Sequence, residues 1–119
     1  MNEAELSERG MWPWFAQRIT GALLIILAGI HFFFTHFGIE GFITFESIAQ
    51  RVRVPFWFGF DLILLALAIF HGLNGVRAVI LDYRPGSRGE RGLTFVLWVA
   101  GVVSFVVGVW FLAPYGRPA

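Results

Sequence analysis

Two histidines stand where an ionisable group is hardest to place. His31 lies in a run from Ile19 to Ile39 that has no Asp, Glu, Lys or Arg, and His71 lies in a run from Val54 to Val76 whose one formal charge is Asp61. An ionisable side chain among so many apolar ones is costly and is a functional hypothesis by default. Neutral imidazole avoids the charge penalty. It can bind a haem iron as an axial ligand, pass a proton, hold another metal, or simply hydrogen-bond a neighbouring helix. No carboxylate is expected beside either ring, which counts against a hard-ion site. Asp61 can move protons, pair with Arg51 or Arg53, or be partly hydrated. His36 stands closer to the end of its run, about 140° around a regular helix from His31, and is the weaker ligand candidate. The chain has no cysteine. That excludes disulfides, thiolate metal sites, iron–sulfur ligation and covalent c-type haem.

The elements that must carry these residues follow from composition. The 119 residues suffice for a single domain over 1–119; 57% are hydrophobic, 14% are charged, and mean hydropathy is +0.71. A soluble domain would carry about 25% charged residues. Net charge is +1, with nine arginines and no lysine, which offers nothing for nucleic acid. A bilayer core of about 30 Å needs about 20 mostly apolar helical residues. Three such spans are expected, at 14–37, 56–81 and 93–112, in an all-α integral membrane protein. A signal peptide is not expected, because the first run is too long and the residues before it (Glu3, Glu5, Glu8) are acidic.

Helical periodicity places Gln17, Thr20, Leu24, Ala28, His31 and Thr35 on one face of the first span. Leu64, Ala68, His71, Gly75, Ala78 and Asp82 share a face of the second. Small residues beside a histidine leave room for a flat group, and they equally allow close helix packing. Counting at ~1.5 Å per residue from Arg18 and from Asp82 puts His31 and His71 at similar depth. On the third span Ala100, Ser104 and Gly108 form a small-residue packing face. Six arginines (Arg9, Arg18, Arg77, Arg84, Arg88, Arg91) against three (Arg51, Arg53, Arg117) favour a cytoplasmic amino terminus, with Arg77 open to either the second helix or the loop. Trp12, Trp14, Trp57, Trp98 and Trp110 fall near span ends as interface anchors. The connection 38–54 reads equally as a loop or as a short interfacial helix. The connection 83–91 is rich in turn residues.

The second span ends His71-Gly-Leu-Asn-Gly-Val-Arg-Ala-Val-Ile-Leu-Asp82-Tyr83, and the first opens Gln17-Arg18-Ile-Thr-Gly21. Both resemble the membrane anchors of succinate dehydrogenase, as does Pro55-Phe-Trp57 through Asp61. The likeness runs from Trp12 to Tyr83. Asp82-Tyr83 and the tryptophan-rich Trp12–Phe15 favour the D-type anchor, while the Thr-Gly opening also occurs in C-type chains. The resemblance implies a non-catalytic subunit of succinate:quinone oxidoreductase in a bacterial inner membrane. Its partners would be a second, C-type anchor, an iron–sulfur subunit and a flavoprotein. Its cofactors would be haem b and a quinone, either menaquinone or ubiquinone. It further implies that His71, then His31, ligates haem iron, that Gly75 lets the porphyrin approach, and that Arg18 meets a propionate or lines the quinone pocket. Tyr83 would hydrogen-bond a quinone carbonyl, with Asp82 orienting that region. An anchor of another respiratory dehydrogenase, or a non-redox scaffold or transporter subunit, would keep three spans without that quinone tip.

Overall fold

The computed structural model describes residues 3–37, 41–83 and 89–115, with side chains from residue 10 onward. Arg84, Arg88 and Arg117, three of the arginines used for orientation, lie outside the described residues. Four helices follow one another: α1 (Glu3–His36), α2 (Phe45–Val52), α3 (Pro55–Tyr83) and α4 (Glu90–Leu112). Three are long and apolar enough to cross a membrane, at Gly10–His36, Pro55–Tyr83 and Glu90–Leu112. The expected spans are thus present, each reaching further at its amino-terminal end than hydropathy alone suggests. The first helix begins well before the apolar run and continues through Pro13.

Local sequence explains the boundaries. Pro55 opens α3 at a first-turn position, where a missing N–H leaves no hydrogen bond unmade. Gly89 precedes α4 with φ 92°, a left-handed conformation that glycine adopts without steric cost. In α2, the Thr44 side chain accepts from the Ser47 backbone N–H, and the Ser47 hydroxyl accepts from the Thr44 backbone N–H. This reciprocal cap decides the first connection in favour of a short helix. Ala49 and Val52 of α2 are buried, while Phe45 and Ile48 remain exposed.

The helix α3 packs against each of the other three, so it runs between α1 and α4. The result is an elongated body of 57 × 25 × 22 Å. Among the described residues only Ala49, Val52 and Thr20 are buried. For a water-soluble chain so little burial could not offset the entropy of ordering; in lipid the exposed Phe, Ile and Val side chains are already in an apolar solvent.

The packing face of α4 differs from expectation. A Cβ on Gly108 would lie 2.5 Å from Leu65, and one on Gly101 would lie 3.0 Å from Leu73. Ala100 and Ser104 are exposed instead. The seven-residue step from Gly101 to Gly108 is close to two helical turns, and this is the line along which α3 approaches. Arg77 belongs to α3, not to the loop, and ties α3 to α4: its Nη2 donates to Glu90 at 2.6 Å and its Nε to Thr94 at 3.0 Å.

Candidate functional site

His71 projects from α3 onto α1, over Gly21, whose missing side chain makes the space: a Cβ there would lie 3.1 Å from the ring. The hydrogen bonds around it can be oriented by elimination. Asn74 Nδ2 donates to the Pro13 carbonyl at 3.1 Å and to Gln17 Oε1 at 2.8 Å. Gln17 therefore turns its Nε2 toward α3, where it donates to the His71 carbonyl at 3.1 Å and approaches the ring Nε2 at 3.4 Å. Thr20 has one hydroxyl proton, and the 2.7 Å contact to the Ala16 carbonyl takes it. Its lone pairs remain for His71 Nδ1 at 3.1 Å. The proton is thereby assigned to Nδ1 and the in-plane lone pair to Nε2. The Gln17 contact to that lone pair is longer than a well-formed bond of 2.7–3.2 Å.

His31 reaches the same protonation pattern in different company. Its Nδ1 lies 3.0 Å from Asp61 Oδ1. Arg51 Nη2 donates to both oxygens of that carboxylate, at 2.9 and 2.7 Å, and its guanidinium lies 4.9 Å over the Trp57 ring. A carboxylate only accepts, so Nδ1 carries the proton. The longer 3.3 Å approach of Arg51 Nη2 to the same nitrogen is then donor against donor. Arg51 and Asp61 side chains are 9% and 11% exposed, that of His31 39%. No hydrogen bond to His31 Nε2 occurs among the described residues.

Two expectations are corrected here. A carboxylate does lie beside His31: Asp61 pairs with that ring and with Arg51, while Arg53 is exposed. Nor are the two histidines level. His71 meets α1 at Thr20 and Gly21, and His31 meets α3 at Asp61. Thr20 to His31 is 11 residues and Asp61 to His71 is 10, so either helix gives a separation of ~15 Å along the axis. The depth estimate failed because Arg18 and Asp82, its two reference points, do not lie at equal heights. Two rings separated this far along the bundle would not both reach a single metal ion.

The other candidates fall into place individually. Gly75 lies within the α1–α3 contact, where a Cβ would sit 3.0 Å from Gln17 Nε2. Arg18 is exposed and stacks its guanidinium 3.6 Å over the Trp14 ring. Asp82 and Tyr83 end α3, both exposed, Tyr83 by 85%. His36 is exposed beside Phe32, ring centroids 4.3 Å apart. The sequence reading missed the Gln17–Asn74 pair beside the ring: Gln17 stands on the projected face of the first span, but Asn74 is on no projected face. Among the described residues no group of three metal-binding side chains occurs.

Comparison with known proteins agrees with this architecture. The profile of the family described as "Succinate dehydrogenase/Fumarate reductase transmembrane subunit" matches residues 6–109. The chain is 31% identical over 114 residues to the succinate dehydrogenase hydrophobic membrane anchor subunit of Archaeoglobus fulgidus, covering 94% of this chain and 97% of that one. It is 28% identical to the subunit of the same name in Thermoplasma acidophilum, covering 91% and 89%. It is also 28% identical to the succinate dehydrogenase 2 membrane subunit SdhC of Mycobacterium tuberculosis, covering 84% and 72%. With three apolar spans and a match over most of its length, the chain belongs to the succinate dehydrogenase/fumarate reductase transmembrane subunits, as a non-catalytic membrane component of such a complex.

Proposed function

We propose that this chain is a D-type anchor that holds b-type haem through its intramembrane histidines and helps form the quinone site of the complex. The observation that carries the reading is the contact at each Nδ1, Thr20 Oγ1 at 3.1 Å for His71 and Asp61 Oδ1 at 3.0 Å for His31, which assigns the proton to Nδ1 and the lone pair to Nε2 in both rings. That is the form in which a histidine ligates a metal through Nε2 while its second nitrogen is fixed by an outer partner. His71 Nε2 is the first candidate ligand and His31 Nε2 the second. Bound haem would supply a one-electron carrier whose potential depends on these ligands and their burial. Ligation at His71 requires the Gln17 amide to move from its 3.4 Å contact, which disturbs its hydrogen bonds to the His71 carbonyl at 3.1 Å and from Asn74 at 2.8 Å.

Quinone reduction needs two electrons and two protons, so its site must adjoin both an electron carrier and water. The exposed end of α3 meets the second condition. Tyr83 donates its phenolic proton to a quinone carbonyl, Asp82 orients the tip and adjoining water, and Arg18 lies toward the same end of the bundle. Electrons arrive from an iron–sulfur subunit, which a flavoprotein in turn supplies. A second, C-type anchor covers the open faces of α1, α3 and α4. The amino terminus lies on the cytoplasmic side of the cell membrane, consistent with the arginine distribution.

The direct test is a reduced-minus-oxidised absorption spectrum of the purified complex, compared between wild type and Tyr83→Phe. Sharp b-type bands in both, with slowed quinone reduction in the variant, are expected. A folded complex without those bands removes the haem assignment. Unchanged quinone reduction in Tyr83→Phe removes the tyrosine from the site.

A further inference from the structure

We propose that the Arg51–Asp61 pair is a positioning device for His31, presenting its Nε2 to a haem iron distinct from the one held by His71. This rests on the haem reading above and extends it to residues that carry no assigned role. Three observations converge. Asp61 accepts the His31 Nδ1 proton at 3.0 Å, which fixes both tautomer and ring direction. Arg51 holds both carboxylate oxygens from a side chain that is 91% enclosed, counting from its 9% exposure, and is itself stacked on Trp57. His31, by contrast, is 39% exposed, so the device faces outward from this chain toward whatever packs on it. The pair comes from α2 and α3 and meets a ring on α1, so three elements converge on one nitrogen. A salt bridge serving only to fasten α2 to α3 would have no need of the imidazole.

The ~15 Å axial separation from His71 makes this a second site. Its electronic character should also differ. A carboxylate partner on Nδ1 makes an imidazole a stronger electron donor than a hydroxyl partner does, which favours the oxidised iron and lowers its potential. The neighbouring Arg51 limits this effect and does not cancel it, because Asp61 rather than Arg51 receives the proton.

The experiment compares His31→Ala, Asp61→Leu and Asp61→Asn in the purified complex, reading haem content, the optical potential titration and low-temperature electron paramagnetic resonance. His31→Ala should remove one haem and leave the His71-linked signal in place. Asp61→Leu should weaken retention of that same haem by about 10- to 100-fold, the range found when outer partners of metal-bound histidines are removed. Asp61→Asn keeps an acceptor for Nδ1 without the charge. It should retain the haem, raise the potential of that one component and leave the other unmoved. Asp61→Asn also keeps the proposal testable if Asp61→Leu fails to assemble. If His31→Ala loses no haem, His31 is not a ligand and the haem reading for it falls, taking this proposal with it. If His31→Ala loses a haem while neither Asp61 variant changes content, potential or resonance, the haem reading stands and the positioning role is wrong.

Discussion

Around His71 every side chain that touches the ring is neutral, whereas around His31 the contacts are a carboxylate and a guanidinium enclosed together. Both arrangements leave a lone pair on Nε2, so the same ligand form can be reached with a hydroxyl or with an ion pair. What differs is how each neighbourhood fails. A threonine and two amides are modestly costly to leave unpaired in apolar surroundings. An arginine or aspartate stripped of its partner is a bare charge in low dielectric. The two sites also differ in how many elements build them. The network at His71 is drawn from α1 and α3 alone, while the one at His31 needs α2, the short helix of the first connection.

Breaking one half of the ion pair should therefore have the largest effect. Arg51→Leu is expected to destabilise the chain by about 3–5 kcal/mol, because Asp61 is left uncompensated. The double variant Arg51→Leu/Asp61→Leu should recover much of that loss, since no bare charge remains. Thermal unfolding of the detergent-solubilised complex measures both. If Arg51→Leu costs no more than a neutral substitution at Thr20, the electrostatic distinction between the two sites is wrong.

The third histidine sharpens the comparison as its control. His36 is exposed, lies tilted against Phe32, and has no hydrogen-bonded outer partner among the described residues. His71→Ala should lose haem far more severely than His36→Ala in pigment content per complex. Equal losses, or the reverse order, would show that an oriented Nδ1 does not mark the ligand.

Next comes Thr20. Thr20→Val keeps the shape and removes the acceptor for His71 Nδ1, leaving a half-buried donor unpaired at a cost of about 1–3 kcal/mol. Thr20→Ser restores the hydroxyl and should restore both stability and pigment. A Thr20→Ser variant no better than Thr20→Val would mean that the methyl group, not the oxygen, is what the site uses.

The chain disclosed its own architecture readily, and its site only in part, for physical reasons. Long apolar runs have one solution in lipid, a helix, so α1, α3 and α4 were legible from hydropathy. The inward face of α1 was largely legible too: Gln17, Thr20, Leu24, His31 and Thr35 are all at least partly covered, while Ala28 of the same projected face is exposed. Relative heights were not, because hydropathy does not fix how two helices slide past one another. That offset decides whether Asp61 meets His31 or nothing at all. Periodicity likewise marked a small-residue stripe on α4, and its Gly108 does meet α3, but Gly101 rather than Ala100 and Ser104 completes the contact, since all of these residues are small. The cap that converts Phe45–Val52 into a helix uses Ser47 where the familiar box has Glu or Gln, which left the first connection ambiguous by sequence.

The smallest effect should come from Gln17, and it separates two explanations of the His71 ring. Gln17 and Thr20 both touch the imidazole, but on different nitrogens: the amide approaches Nε2 at 3.4 Å and the hydroxyl accepts from Nδ1 at 3.1 Å. If Nε2 is the ligand atom, the amide is a placeholder there. Gln17→Ala then costs two membrane-embedded interhelical hydrogen bonds, the one to the His71 carbonyl and the one from Asn74, at about 0.6 kcal/mol each. Asn74 keeps the Pro13 carbonyl as a partner. Pigment content should be undiminished, because the group competing for the lone pair has been removed. If Gln17→Ala instead loses pigment to the extent that Thr20→Val does, then the amide holds the ring in place. The neutral site would in that case be organised from its ligand side, opposite to the way Asp61 holds His31.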